Sequence, residues 1–202
     1  MQQQYFGGPL EIQYPPHQES LPVIARAVDA ATAAGIPIAV VQHSAGLGAP
    51  VFAPGTPEFD LHPDIERRRT AGWKSVVKQF GSVYAGTDLA DWLREHDVDT
   101  VTLVGYMTNN CVLASAVEAE FLGFTTEVLS DASSASVHAA VSATAAQLEF
   151  SSVRSVVCTV LASAKPASLA RLTAPVASER TSVLKPRNSA STAEASTQLL
   201  VM

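Results

Sequence analysis

The chain has 202 residues, 47% of them hydrophobic and 16% charged, with a formal net charge of -6. That length supports one well-buried domain rather than two, and an acidic balance with no basic stripe argues against a nucleic-acid partner. No window holds the ~18 apolar residues of a membrane span, so no membrane partner is expected either. Met1-Gln2-Gln3-Gln4 lacks the basic end and apolar run of a signal peptide. Two cysteines, Cys111 and Cys158, are too few for a disulfide scaffold in a chain this long. A reducing, cytoplasmic setting is the expectation.

Leu21, Ile24, Ala25, Val28 and Ala31 recur at helical spacing, which predicts a helix over 20–34 with Ser20 as N-cap and Gly35 just past its end. The β-branched run 36–41 reads as a buried strand. Residues 44–63, rich in proline and glycine, form a long loop of the kind that often carries function. Arg67-Arg68-Arg69 reads as a solvated helix face rather than a phosphate clamp. A strand over 75–79 follows, then a helix over 88–96 with Leu89, Trp92 and Leu93 on one face. Strand 100–104, helix 110–122, strand 125–129, helix 137–150, strand 153–159 and helix 166–172 complete the series. Short apolar strands separated by helices predict an α/β fold. Its form would be three-layer α/β/α with a mostly parallel, Rossmann-like central sheet. The expected domain spans 1–173. Residues 174–197, rich in Ser, Ala and Thr, read as a flexible linker, and 198–202 as a possible strand completing the sheet.

The informative stretch runs from Val101 to Val112. A strand ends at Gly105, a polar turn follows, and Cys111 opens a helix. In parallel sheets ligands gather outside the carboxyl ends of the strands. A helix N-terminus stabilises a thiolate there, and its free N–H groups can receive an oxyanion. The plainer alternative is that Cys111 is a buried small apolar residue. Lys78, at the end of the apolar strand Val76-Val77, favours the chemical reading, because a buried ammonium is costly unless paired. The alternative for Lys78 is a stem covering the sheet edge with its head in solvent.

These residues resemble the isochorismatase-like cysteine hydrolases, which include nicotinamidases and related amidases. The resemblance runs from Met1 to about Thr159. It rests on Lys78 with Ser82, Tyr84 and Gly86-Thr87-Asp88-Leu89, then Gly105, Thr108, Cys111-Val112, Gly123 and Asp131-Ala132. Pro54-Gly55-Thr56-Pro57 with Leu61-His62-Pro63 resembles a loop common in that family. What the resemblance implies is an Asp–Lys–Cys triad, with Cys111 as nucleophile and Lys78 positioning the acid and offsetting developing charge. It also implies a cis peptide between Tyr106 and Met107, whose amide would join that of Cys111 at the oxyanion, and a substrate contact from Tyr5. Asn110 is a further candidate for substrate binding, with Phe52, Phe59 and Trp73 as others. The implied chemistry is thiolate attack on an amide carbonyl, followed by hydrolysis of the thioester. A small-molecule substrate and a homo-oligomer are expected.

Two departures from the family pattern stand out. The family's acid ends a first strand, and this sequence opens one residue after the position expected for it, with that strand absent from the start. Leu199-Leu200-Val201-Met202 looks like the absent strand, so one hypothesis is circular permutation, with the tail filling the first-strand slot. The other is a misplaced start followed by a tail with no structural role. The second departure concerns metal. Nicotinamidases carry an Asp-x-His pair after the second strand, where this chain reads Gln42-His43-Ser44. One histidine is a poor site for a divalent ion; no metal and no cofactor are expected. Beside the hydrolase stand two other readings: a small-molecule-binding protein that has lost its acid, and a redox-responsive thiol protein using Cys111.

Overall fold

The computed structural model describes residues 1–136, 154–156 and 198–202. The helices expected over 137–150 and 166–172, the linker over 174–197 and Cys158 lie outside the described residues. Two short 3-10 turns, Gln3–Phe6 and Gly8–Leu10, open the chain. There follow α1 (His17–Ala34), β1 (Ile38–His43), α2 (Pro63–Glu66), β2 (Lys74–Lys78), α3 (Leu89–Glu95) and β3 (Thr100–Tyr106). A π-helical turn, Thr108–Val112, feeds α4 (Leu113–Leu122), and β4 (Thr125–Ser134), β5 (Arg154–Val156) and β6 (Gln198–Val201) complete the set.

The six strands form one sheet in the order β2-β1-β6-β3-β4-β5, and every pairing is parallel. Both faces are covered, which explains why the strands are apolar throughout instead of alternating with polar residues. Ile38 and Val40 of β1, Leu200 of β6 and Val104 and Tyr106 of β3 pack under α1 through Ile24, Val28 and Ala31. Their neighbours Ala39, Val41, Leu199, Val201, Val101 and Leu103 point the other way, against Leu89 and Leu93 of α3 and Ala116 and Ala119 of α4. The period of two thus separates two cores instead of a core from solvent.

The strand from the last residues of the sequence occupies the middle of this sheet. Leu200 and Val201 pair with Ile38 and Ala39 on one side, and residues 198–201 pair with 100–103 on the other. Beyond its end, the amide of Met202 donates to the carbonyl of Ala39, and its carbonyl accepts from Val41. β3 then passes beneath the ends of Met1 and Met202. Gly105 sits there at φ +105, where an added Cβ would lie 3.6 Å from the Met1 side chain and 3.7 Å from the Met202 backbone. A residue with a side chain meets a backbone penalty at that point, although its Cβ would find only ordinary van der Waals contacts.

Several element ends differ from the sequence-based expectation. The first helix begins at His17 rather than at residue 20, and Pro16, not Ser20, is its N-cap. Ser20 is fully buried inside the helix, its hydroxyl 2.8 Å from the Tyr106 hydroxyl. Tertiary pairing across 86 residues outweighs its local preference for a cap. β3 and β4 each run past their expected ends, because both continue to the edge of the site, with a shift of register between Leu103 and Gly105. The arginine triplet lies beyond α2, not on a helix face. Each of its members is ion-paired: Arg67 with Asp64, Arg68 with Asp29 and Arg69 with Glu66. Among the described residues no helix is long and apolar enough to cross a membrane.

Candidate active site

The carboxyl ends of β1, β6 and β3, together with Lys78 at the end of β2, open on one small cavity of ≈ 40 Å³. It is lined in part by Lys78, Cys111, His43, Tyr5, Tyr106 and Met202. Parallel strands all deliver their last residues to the same side of the sheet, so side chains far apart in sequence meet there. Tyr5 comes from the first 3-10 turn, edge-on to Tyr106 at 5.6 Å and tilted against Phe52 at 5.3 Å. Asn110 is exposed and lies outside the cavity lining. Phe59 and Trp73 are likewise not part of the lining; Phe59 borders a separate surface depression.

Lys78 is 4% exposed. Its Nζ donates to the carbonyl of Phe80 at 2.8 Å and to the Sγ of Cys111 at 3.1 Å, and lies 3.4 Å from Nδ1 of His43. The buried ammonium is therefore held by partners rather than reaching solvent along the sheet edge. Among the described residues no carboxylate side chain comes within ion-pair distance of it.

Cys111 is half-buried and has no disulfide. It sits in the π-helical turn that precedes α4, not in the first turn of the α-helix itself. The carbonyl of Met107 accepts from the amides of Asn110 and Val112 and winds that turn. The peptide bond between Tyr106 and Met107 is cis. Ser115 stitches the turn to the loop after Lys78: its hydroxyl donates to the Cys111 carbonyl at 2.6 Å and accepts from the amide of Val83 at 3.0 Å. The hydroxyls of Thr108 and Ser133, 2.6 Å apart, tie its start to the end of β4.

His43 ends β1 beside Lys78, with which it is in register. The side-chain amide of Gln2 clamps its backbone, accepting from the His43 amide at 2.7 Å and donating to its carbonyl at 3.0 Å. Its ring stands edge-on to Phe52 at 5.1 Å. Burial and the neighbouring Lys78 charge both hold the imidazole below its ordinary pKa. Burial pushes the Tyr5 hydroxyl well above the usual phenol range. It also raises Tyr106 to about 12, even though the Ser20 hydrogen bond favours its ionised form.

The metal pair carried by nicotinamidases does not fit here. His43 is flanked by Gln42 and Ser44, and its Nδ1 faces an ammonium that would repel a divalent cation. Among the described residues no three His, Cys, Asp or Glu side chains converge as a metal site.

Sequence reasoning did not find Gln2, Ser115 or the contact between His43 and Lys78. The last had a signal, since adjacent parallel strands ending near His43 and Lys78 bring those two residues together. For Gln2 nothing in the sequence marks a buried amide that acts as an extra strand partner.

Residues 1–165 match the family model for the isochorismatase domain. A secreted isochorismatase effector of Verticillium dahliae is 30% identical over 57% of this chain and 60% of its own length. A nicotinamidase/pyrazinamidase of Mycobacterium tuberculosis is 34% identical over 38% of this chain and 45% of its own. The aligned parts thus span about half of these curated relatives. A crystal structure of a protein assigned as an isochorismatase, from Burkholderia xenovorans LB400, superposes with a TM-score of 0.68 at 39% identity, covering 73% of this chain and 75% of that one.

Proposed function

This chain belongs to the isochorismatase domain family, and on that premise we propose that it is a cysteine-dependent hydrolase cleaving the C–N bond of a small amide. The observation that carries the reading is the Lys78 ammonium, buried and 3.1 Å from the Cys111 sulfur, at a cavity on the carboxyl side of the sheet. An ammonium donating to sulfur favours the thiolate, which is the nucleophilic form.

In the proposed reaction the Cys111 thiolate attacks the amide carbonyl and forms a C–S bond. The backbone amides of Met107 and Cys111 receive the oxyanion. The C–N bond breaks as the leaving nitrogen takes a proton from the Lys78 ammonium and departs as an amine. Water then attacks the thioester, giving one proton back to Lys78, and releases a carboxylic acid and the Cys111 thiolate. Tyr5 supplies one side of the substrate cavity. The amide class is supported by the mycobacterial relative, a nicotinamidase/pyrazinamidase. A cytoplasmic setting and a homo-oligomer remain part of the same proposal. So does a permuted order of elements, in which β6 takes the place of the family's first strand; its support is the parallel insertion of β6 between β1 and β3.

The lack of a carboxylate side chain within ion-pair distance of Lys78 among the described residues favours one other reading, a binding protein that retains the cavity without turnover. Amine or ammonia release from a panel of small amides separates the two. The hydrolase reading expects Cys111→Ala and Lys78→Ala each to lower turnover by at least roughly 10³-fold, as loss of a nucleophile or its activating partner does. Thermal midpoints should stay close to the parent's, and mass spectrometry should detect an acyl adduct on Cys111 of the parent enzyme. Full activity in both variants refutes the assignment. No turnover on any amide, with tight binding of one, favours the binding protein.

A further inference from the structure

Lys78 has three protons to donate and no lone pair. Its three neighbours are the Phe80 carbonyl at 2.8 Å, the Cys111 sulfur at 3.1 Å and the His43 Nδ1 at 3.4 Å. Each can accept, so the ammonium is saturated without any carboxylate. The third bond forms only if His43 is neutral and carries its proton on Nε2. Three separate restraints place that ring: its register opposite Lys78, the two Gln2 hydrogen bonds on its backbone, and Phe52 against its edge.

We propose that His43 is a positioning residue for Lys78, its neutral Nδ1 holding the ammonium against the Cys111 sulfur as a carboxylate would. The proposal rests on Cys111 being the reactive thiol of the site. It identifies what completes the Lys78–Cys111 pair in this chain. A neutral imidazole is a weaker partner for an ammonium than a carboxylate, but it has a property the carboxylate lacks near neutral pH: it titrates. Once protonated it becomes a donor and a second positive charge against Lys78. The ammonium must then turn away, and the thiolate loses its partner. The burial of the ring and the nearby Lys78 charge oppose that protonation and keep the acceptor form at neutral pH.

The titratable groups around the ring are Lys78 of β2, Cys111 of the π-helical turn, Tyr5 of the first 3-10 turn, the Met1 amine and the Met202 α-carboxylate beyond β6, all on the same cavity. Burial holds that amine down to about 5. Both it and the histidine are held below their ordinary values, so the test must separate the two.

Alkylation of Cys111 by iodoacetamide, followed against pH, reads thiolate formation without any substrate. Two variants bracket the histidine: His43→Asn keeps an acceptor near Nδ1 but cannot titrate, and His43→Leu removes the acceptor. Protonation of a thiol lowers its alkylation rate toward acid in every form. The expected parent profile adds a histidine-linked loss below imidazole's usual 6.5, so it falls more steeply than one proton allows. In His43→Asn reactivity at pH 7 should persist and the profile should reduce to a one-proton dependence. In His43→Leu the rate at pH 7 should fall by about tenfold, because the ammonium is no longer held against the sulfur. Should His43→Leu not fold, the His43→Asn profile decides alone. The positioning role is overturned if the steeper-than-one-proton loss persists in His43→Asn, which assigns it to the Met1 amine or another group, or if His43→Leu alkylates as the parent does. Amide turnover is measured in parallel. Turnover that survives with unchanged alkylation removes the His43 role and leaves the hydrolase; altered alkylation without turnover in any form leaves the His43 role and removes the hydrolase.

Discussion

The two sides of the cavity are built differently. The side with the nucleophile comes from one stretch of chain, Lys78 to Ser115, stitched within itself by the Ser115 hydroxyl, which bonds Cys111 four residues before it and Val83 32 residues before it. The opposite side is assembled from pieces with no local connection: Met1 to Tyr5, His43 at the end of β1, and Met202 beyond β6. Gln2 and His43 are 41 residues apart, and β6 reaches its slot from the far end of the sequence. One side owes its geometry to bonds within a single stretch of chain. The other exists only when the whole sheet has closed, so its integrity should depend on residues that never touch the sulfur.

Strand β6 gives the sharpest way to break that comparison. Leu199 is fully buried in the central strand, whereas Val77, near the end of edge strand β2 and next in sequence to Lys78, is 56% exposed. Leu199→Asp places an unpaired charge in the core and is expected to abolish cooperative folding. Leu199→Ala should cost roughly 2–5 kcal/mol, and Val77→Ala within about 0.5 kcal/mol. Urea unfolding of the variants measures both. If Leu199→Ala costs no more than Val77→Ala, β6 does not hold the middle of the sheet and the assembled side of the cavity loses its foundation.

The same contrast explains what could be read in advance. The strands around 38–41 and 101–104 were legible because burial on both faces leaves unbroken apolar runs. Lys78 and Cys111 were legible because a cation and a thiol at the ends of such runs need a chemical reason. The π-helical form of the turn at Thr108–Val112 was not, since one extra residue per turn leaves no mark on apolar spacing. The helix start misplaced at Ser20 and the unnoticed Gln2 share one cause. Both are polar side chains recruited by distant partners, Tyr106 and His43, and local sequence carries no trace of a partner.

The bond between Ser20 and Tyr106 joins α1 to β3 on the assembled side, so it sharpens the comparison at a smaller scale. Tyr106→Phe removes one hydroxyl from a buried pair 2.8 Å apart. The Ser20 hydroxyl keeps its bond to the Pro16 carbonyl at 3.3 Å, so it is not left wholly unpaired. The expected loss is about 1 kcal/mol, the usual net value of one intramolecular hydrogen bond. A loss above roughly 3 kcal/mol would mean that the ring itself had moved, since the bond alone cannot supply it. Chemical denaturation of the variant checks this, with amide turnover as the second readout.

The smallest expected effect is on the pH dependence of stability, and it too belongs to the assembled side. His43 and His62 are both held below imidazole's usual 6.5, mainly by burial. A depressed base binds fewer protons in the folded chain than in the unfolded one, so the stability these two groups affect is fully present above 6.5 and declines as pH falls through the folded-state values. Tyr5 and Tyr106 are raised above the phenol's usual 10.0, so on the alkaline side the unfolded chain ionises first and stability declines above 10.0. The Met1 amine, held by burial from its ordinary 8.0 down to about 5, likewise costs stability as pH falls below 8.0. The thermal midpoint should therefore be flat between 8.0 and 10.0 and fall outside that window. His43 is partly open to solvent, which screens its contribution and makes the acid-side slope shallow. His43→Asn should make it shallower still and leave the alkaline slope unchanged, and Tyr5→Phe should do the reverse. Were His43→Asn to leave the acid slope as it was, the imidazole would be as solvated in the folded chain as in the unfolded one. Its place against Lys78 would then have no energetic consequence.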